Sequence, residues 1–481
     1  MERYDAIRGL EPQDVLRCFW DLSTIPREPG LKQPVSDFMV SYVQGLGLEV
    51  RQDDAYNVIA CKPATPGYED APTVMLQAHL DMVCEKEPGV EHDFQKDPLR
   101  LLVEDGDKIT ADGTTLGADD GLGVAVIMAI LADKTIEHPA IEAVFTTDEE
   151  TNMNGAYGLD FSKLKSKIIL NLDSSAVQVS GAGELEVSID IGAEKKSLPQ
   201  GLTVCALEVS GLKGGHSGAQ AMQELGSAIA LMARVLCALE KELPYHLIRV
   251  QGGRGFPTAF ARNASAVIAL EPGQVPFAQE ITARCLADFR KELAKRDPGV
   301  EVVLRPTGET AFEAFTESVK DTLLTLLTCL PDGLFSLNRE FEGSMESCSN
   351  VGVLETYPDR IYVDLLIRSV TASKKYQLFD KVARLSKALH VVPTVRRDLP
   401  QWDYSMDDNL LKLICDTYDD HHPTLSEGTL EAGIFCENMP GVSFVALAPP
   451  YYNAHSPREY FLASECRDNY RKLIALLSRI H

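Results

Sequence analysis

No stretch of this sequence is long and apolar enough to span a membrane, and its start, M-E-R-Y-D-A-I-R-G-L, lacks the basic-then-apolar pattern of a secretory signal. A protein that is neither exported nor membrane-embedded is expected. C-x-x-C pairs are missing too, and the eleven cysteines are an odd number, so neither a dithiol motif nor a disulfide framework can be read from them. Cys237, Cys285, Cys329 and Cys415 lie in apolar helical stretches and read as small buried hydrophobes. A reducing cytoplasm is the expected setting. Basic charge is scarce: 46 Lys and Arg stand against 71 Asp and Glu, a formal net charge of −25. Such a chain repels phosphate backbones and anionic lipid, so neither nucleic acid nor a membrane surface is an expected partner.

The remaining composition, 45% hydrophobic and 24% charged, is that of a globular protein. A length of 481 residues exceeds what one core serves, so two domains are expected. Helical stretches occupy much of 11–48. Apolar runs at 57–62, 73–80, 141–147 and 167–173 then read as buried strands, with a helix over 122–133 among them. This alternation predicts an α/β sheet with helices on both faces. Near residue 186 the pattern changes. Strand 202–210, helix 219–242, strands 246–251 and 264–270, helix 277–296 and strand 299–305 come first. From about 309 a similar order follows: a short strand, helix 316–330, strands 350–356 and 360–368, helix 373–389 and strand 391–397. That is a βαββαβ unit written twice. The expected organisation is a catalytic domain in two parts, 1–186 and 398–481, carrying an inserted α+β lid over 187–397.

Five short segments carry the chemistry. They are Q-A-H-L-D-M-V (77–83), G-A-D-D-G-L-G (117–123), T-T-D-E-E-T (146–151), L-N-L-D-S-S (170–175) and N-A-H-S-P-R-E (453–459). Side chains at the carboxyl ends of strands project into the crevice where open α/β sheets bind ligands. Two histidines and several carboxylates at such positions suit a dinuclear zinc hydrolase. His79 and Asp81 share one side of an extended strand, so His79 reads as a ligand and Asp81 as the group that orients it. The ordinary alternative is a buried histidine satisfied by a carbonyl. Asp119 or Asp120 suits a ligand, and either also suits a helix N-cap. Of Glu149 and Glu150, one can hold metal while the other handles the proton; the plain alternative is a solvated acidic turn. Asp173 ends I-I-L-N-L-D, a strand too apolar to expose a carboxylate without purpose. Cys84 reads as a packed core thiol in preference to a ligand.

In this order, H-L-D-M-V, G-A-D-D-G, D-E-E, N-L-D-S and A-H-S-P, together with G-L-K-G-G-H-S-G (211–218), resemble the cytosolic aminoacyl-histidine (Xaa-His) dipeptidases. These form a bacterial subgroup of the aminoacylase/carboxypeptidase/dipeptidase superfamily of dizinc metallopeptidases, and the resemblance runs across nearly the whole chain. It implies a zinc-peptidase-like mixed sheet and two Zn²⁺ per chain, with Mn²⁺ or Co²⁺ as substitutes. It also implies that His79 and Asp173 bind one ion, that Glu150 and His455 bind the other, and that Asp119 bridges them. Asp81 would orient His79, and Glu149 would be the general base toward a metal-bridging water. His216 lies in a glycine-rich loop, where an imidazole can stabilise an oxyanion. E-S-C-S-N (346–350) and L-I-R-S (366–369) resemble family segments, making Asn350 and Arg368 candidate substrate contacts, with a structural ion pair as the alternative for Arg368. Arg262 or Arg368 suits a substrate carboxylate, because the guanidinium fork pairs with it bidentately. Glu431 would receive the α-ammonium group of a dipeptide. A homodimer is expected by analogy with relatives alone.

The departures from the family pattern cluster away from the ligand set. Glu427 stands where histidine is usual, Thr429 replaces glycine, Ala432 replaces cysteine, and N-A-I-P-R becomes T-A-F-A-R from Thr258 to Arg262. They bear on specificity, so a preference for C-terminal histidine does not follow. Rival readings are the same metal chemistry on another amide, such as an N-acyl amino acid, and a non-catalytic metal-binding scaffold.

Overall fold

The computed structural model describes residues 7–174, 177–253, 255–404, 406–420, 422–426 and 428–481; Glu427 therefore lies outside the described residues. The chain divides into two compact units. One comprises Met1–Ser180, Trp402–Ser426 and Leu430–His481, the other Gly181–Gln401 and Glu427–Thr429.

The first unit is built on an eight-stranded sheet. Its centre is four parallel strands in the order Ile141–Thr146, Val74–His79, Ile168–Asn171 and Ser443–Ala446. The first two are buried at every position, which is why their sequences run apolar without alternating. Helix Ala118–Ala132 packs against Val74–His79 and is buried from Asp120 through Leu131. A helix apolar on all sides belongs in an interior, and this one holds the ends of its neighbouring strands in place. Parallel strands end on the same side, so the residues that follow them are brought together.

The second unit carries a nine-stranded sheet. One half runs, from its edge inward, Glu301–Pro306, Thr203–Ser210, Ala264–Leu270 and His246–Gly252. The other half runs inward as Pro393–Leu399, Gly183–Gly192, Arg360–Ser369 and Met345–Thr356. The halves repeat one strand order, but the first strand of the second repeat is not the segment after 309. Gly183–Gly192 takes that place, so the two repeats are interleaved and the unit opens before residue 187. Glu313–Phe315 instead pairs with Lys195–Ser197 in a separate two-stranded sheet. The expected helix over 219–242 begins only at Ala228, where Ser227 caps it by accepting the Ala230 N–H. The glycine-rich stretch before it stays a loop.

Strand Arg360–Ser369 shows how this sheet is sided. Ile361, Val363, Leu365 and Ile367 join the apolar core with Leu236, Phe289, Leu323 and Val382 from four helices. Tyr362, Asp364, Leu366 and Arg368 take the opposite face. Asp364 is 4% exposed and accepts the Tyr362 hydroxyl at 2.9 Å. Burial, with Glu186 nearby, raises its carboxyl from 3.8 to about 6. Because the folded value lies above the unfolded one, ionisation of Asp364 opposes folding: the penalty is absent below the unfolded value and complete above the folded one. Asp364→Asn is expected to raise Tm by about 2–4 °C near pH 8, and the gain should shrink between pH 6 and pH 4 in thermal melts.

Candidate metal centre

His79 closes strand Val74–His79, and Asp81 lies two residues on. Glu149 and Glu150 follow Ile141–Thr146, and Asp173 follows Ile168–Asn171. Asp119 stands at the start of helix Ala118–Ala132 with non-helical backbone angles. His455 arrives from a remote loop, held in left-handed conformation (φ 63°) just after strand Tyr451–Tyr452. These residues converge. His79, Asp119 and Asp173 form one trio of donor atoms, Asp119, Glu150 and His455 another, and His79, Glu149 and Glu150 a third; within each, all donor atoms lie within 4.8 Å of one another. One Asp119 oxygen is 3.3 Å from His79 Nε2 and the other 3.2 Å from His455 Nε2. Asp120 faces elsewhere and accepts the His79 N–H at 3.1 Å.

So many acids in one place, Asp173 buried and Asp119, Glu149 and Glu150 half-buried, strain their own ionisation. Burial, then the charges of Asp119 and other acids, pushes Asp173 well above the usual carboxylate range. Burial and the neighbouring acids Asp173, Glu150 and Glu431 do the same to Glu149. Hydrogen bonds to Asp119 and Glu150 drive His455 up to about 11. Burial opposes protonation of His79, but Asp119 and Asp81 outweigh it and raise that imidazole too. The cluster therefore gathers positive charge wherever it can. Paired imidazole and carboxylate donors around one shared carboxylate are the chemistry that a pair of divalent cations would satisfy.

Asp81 holds the neighbouring turn. Its two carboxylate oxygens accept the N–H groups of Glu149 and Glu150 at 3.1 and 3.2 Å, while its backbone carbonyl faces His79 Nδ1 at 3.1 Å. Burial disfavours its charge, yet the His79 ring and these amides keep its carboxyl below the ordinary range. The ring is thus oriented chiefly by the Asp81 carbonyl, with the carboxylate 3.7 Å away.

Glu431 corrects an expectation. It is 1% exposed, and one oxygen accepts Gln77 Nε2 at 2.7 Å and the Thr146 hydroxyl at 2.6 Å. A carboxylate closed in this way, pushed up to about 7 by burial, is not open to a substrate ammonium group. Gln77 in turn accepts Asn171 Nδ2, and Asn171 accepts the Asp173 N–H at 3.2 Å. Gln77, Asn171, Tyr451, Arg27 and Glu459 all support the cluster and were passed over in the sequence. Tyr451, whose hydroxyl is 3.4 Å from Asp173, carries no motif of its own. Glu459 at least ends the quoted N-A-H-S-P-R-E segment.

In the second unit, His216 is exposed, and its Nδ1 accepts the N–H groups of Gly218 and Ala219 at 3.2 and 2.9 Å. Its Nε2 lies 3.4 Å from Arg368 Nη2. Arg262 is exposed beside a cavity of about 860 Å³. Asn350 and Arg368 differ from the substrate contacts expected of them, for each is 1% exposed. Asn350 gives both amide hydrogens to the carbonyls of Pro257 and Ala259, at 2.7 and 2.9 Å, which fastens the T-A-F-A-R segment. Arg368 is ion-paired with Glu184, which also accepts Arg397 at 2.9 Å.

Residues 75–480 match the family described as Peptidase family M20/M25/M40. The cytosol non-specific dipeptidase of Escherichia coli is 30% identical over 458 residues, covering 94% of each chain. The aminoacylhistidine dipeptidase of Vibrio alginolyticus superposes with a TM-score of 0.88 at 30% identity, over 100% of this chain and 98% of that one. Aminopeptidase PepT of Bacillus cereus shares the fold at 16% identity, with a TM-score of 0.55 over 98% and 99% of the two chains.

In Asp81→Asn an amide NH₂ must face the Glu149 or Glu150 N–H in place of an oxygen. The variant is expected to bind divalent metal about 10- to 100-fold more weakly, read by competition with a chromophoric chelator.

Proposed function

The chain belongs to peptidase family M20/M25/M40 and is a peptide hydrolase, and on that footing we propose that it is a dinuclear-zinc dipeptidase of the cytoplasm. The observation that carries this reading is a single carboxylate, Asp119, shared between two trios, one completed by His79 and Asp173 and the other by Glu150 and His455. His79 and Asp173 would hold one ion, Glu150 and His455 the other, and Asp119 both. Bound there, the ions would supply Lewis acidity and make water a nucleophile at neutral pH.

The remaining roles belong to side chains. Glu149 carries no ligand role in this reading, and burial with the neighbouring acids holds its carboxyl well above the ordinary range, as suits a group that exchanges protons. Its carboxylate takes a proton from the attacking water and returns it to the leaving nitrogen. The His216 imidazole stabilises negative charge developing on the scissile carbonyl oxygen. Arg262, an exposed residue whose Nε donates to the Leu212 carbonyl at 3.3 Å, receives the carboxylate that ends a dipeptide with its remaining N–H groups.

Glu149→Gln is expected to lower kcat by about 10²- to 10⁴-fold while metal content by mass spectrometry stays at the parental level. Arg262→Ala is expected to raise KM for free-acid dipeptides about 10- to 100-fold and to leave C-terminal amides little changed. Chelated enzyme, re-metallated ion by ion and assayed on dipeptides and N-acetyl amino acids, tests the whole reading. Hydrolysis confined to the N-acetyl substrates would overturn the dipeptidase assignment.

A further inference from the structure

Two buried charged side chains grip the same short piece of backbone. Glu459, 1% exposed, accepts the N–H groups of Leu116 and Gly117 on one oxygen, both at 2.8 Å, and the N–H of Asp119 on the other at 3.1 Å. Arg27, 2% exposed, donates from Nη1 to the carbonyls of Leu80 and Asp81, both at 3.1 Å, and from Nη2 to the carbonyl of Gly117. The Asp81 carbonyl also faces His79 Nδ1, so one oxygen links Arg27 to that imidazole. Gly117, at φ 67°, is thus held through both its N–H and its C=O.

The glycines of G-A-D-D-G have a specific reason here. A Cβ on Gly117 would lie 2.3 Å from Arg27 Nη2, and one on Gly121 would lie 2.5 Å from it. The motif is a slot for a guanidinium. Charge-assisted bonds of this kind are about twice as strong as neutral ones. At 1% exposure the Glu459 carboxylate is closed to metal and substrate alike.

We propose that Arg27 and Glu459 are the positioning residues of the metal centre, fixing the backbone of Leu116–Asp119 so that the Asp119 carboxylate stays between the His79 and His455 rings. The inference rests on Asp119 being the shared ligand proposed above. An aspartate side chain has only two torsions, so where its backbone sits decides whether one carboxylate can serve two ions. Binding sites of this type require placement within about 0.5 Å.

The test is Glu459→Gln in the full chain, since the glutamine NH₂ must confront at least one of three backbone N–H donors at unchanged volume. Zinc affinity is expected to fall about 10- to 100-fold, with an altered visible spectrum of the cobalt-loaded protein and activity regained at high free zinc. Arg27→Lys keeps the charge but cannot span the carbonyls of residues 80, 81 and 117. It is expected to give the same signature, and it serves as the test should Glu459→Gln not fold. Parental zinc affinity and an unchanged cobalt spectrum in a folded variant would overturn the proposal, even with a lowered Tm. Failure of the parent chain to take up zinc in the same titration would overturn the metal reading itself, and this inference with it.

Discussion

Repulsion among crowded carboxylates, buried and half-buried, governs this molecule. Asp119, Glu149, Glu150 and Asp173 share a small space with two imidazoles, and Asp81 and Asp120 stand directly behind. In an interior of low effective dielectric such charges cannot coexist uncompensated, so acids take up protons or cations are drawn in. Both imidazoles respond by holding their protons far more tightly than usual. A fold that builds this arrangement and keeps it has made a place for positive charge.

The acids that do not face the cluster explain how it is kept. Asp81 accepts the amides of Glu149 and Glu150, Asp120 that of His79, and Glu459 those of Leu116, Gly117 and Asp119. Each of three segments bearing a proposed ligand is tied by its backbone to a carboxylate outside the proposed ligand set. Side chains that reach backbone groups fix position without blocking the face turned toward the site. Parallel strands bring the segments to one side of the sheet, and these ties hold them there.

Much of this was legible in the sequence because it depends on local pattern. Largely apolar runs leading to His79, Glu149 and Asp173 announce buried parallel strands with functional ends. The interleaving of the second unit was not legible, since nothing in Gly183–Gly192 says which distant strands it will pair with. Asn350 and Glu431 were read as substrate contacts from motif position alone. Their burial is set by tertiary partners, Pro257 and Ala259 for one and Gln77 and Thr146 for the other. Arg27 escaped notice for a related reason. It lies between two helices with no motif around it, and its partners are carbonyls, which every residue has.

The most direct measurement is anomalous diffraction at the zinc edge from crystals of the full chain soaked in Zn²⁺. Two peaks a few ångströms apart are expected, one bounded by His79 and Asp173, the other by Glu150 and His455, with Asp119 reaching both. A lone peak, or none among these five side chains at full zinc occupancy elsewhere, would contradict this arrangement.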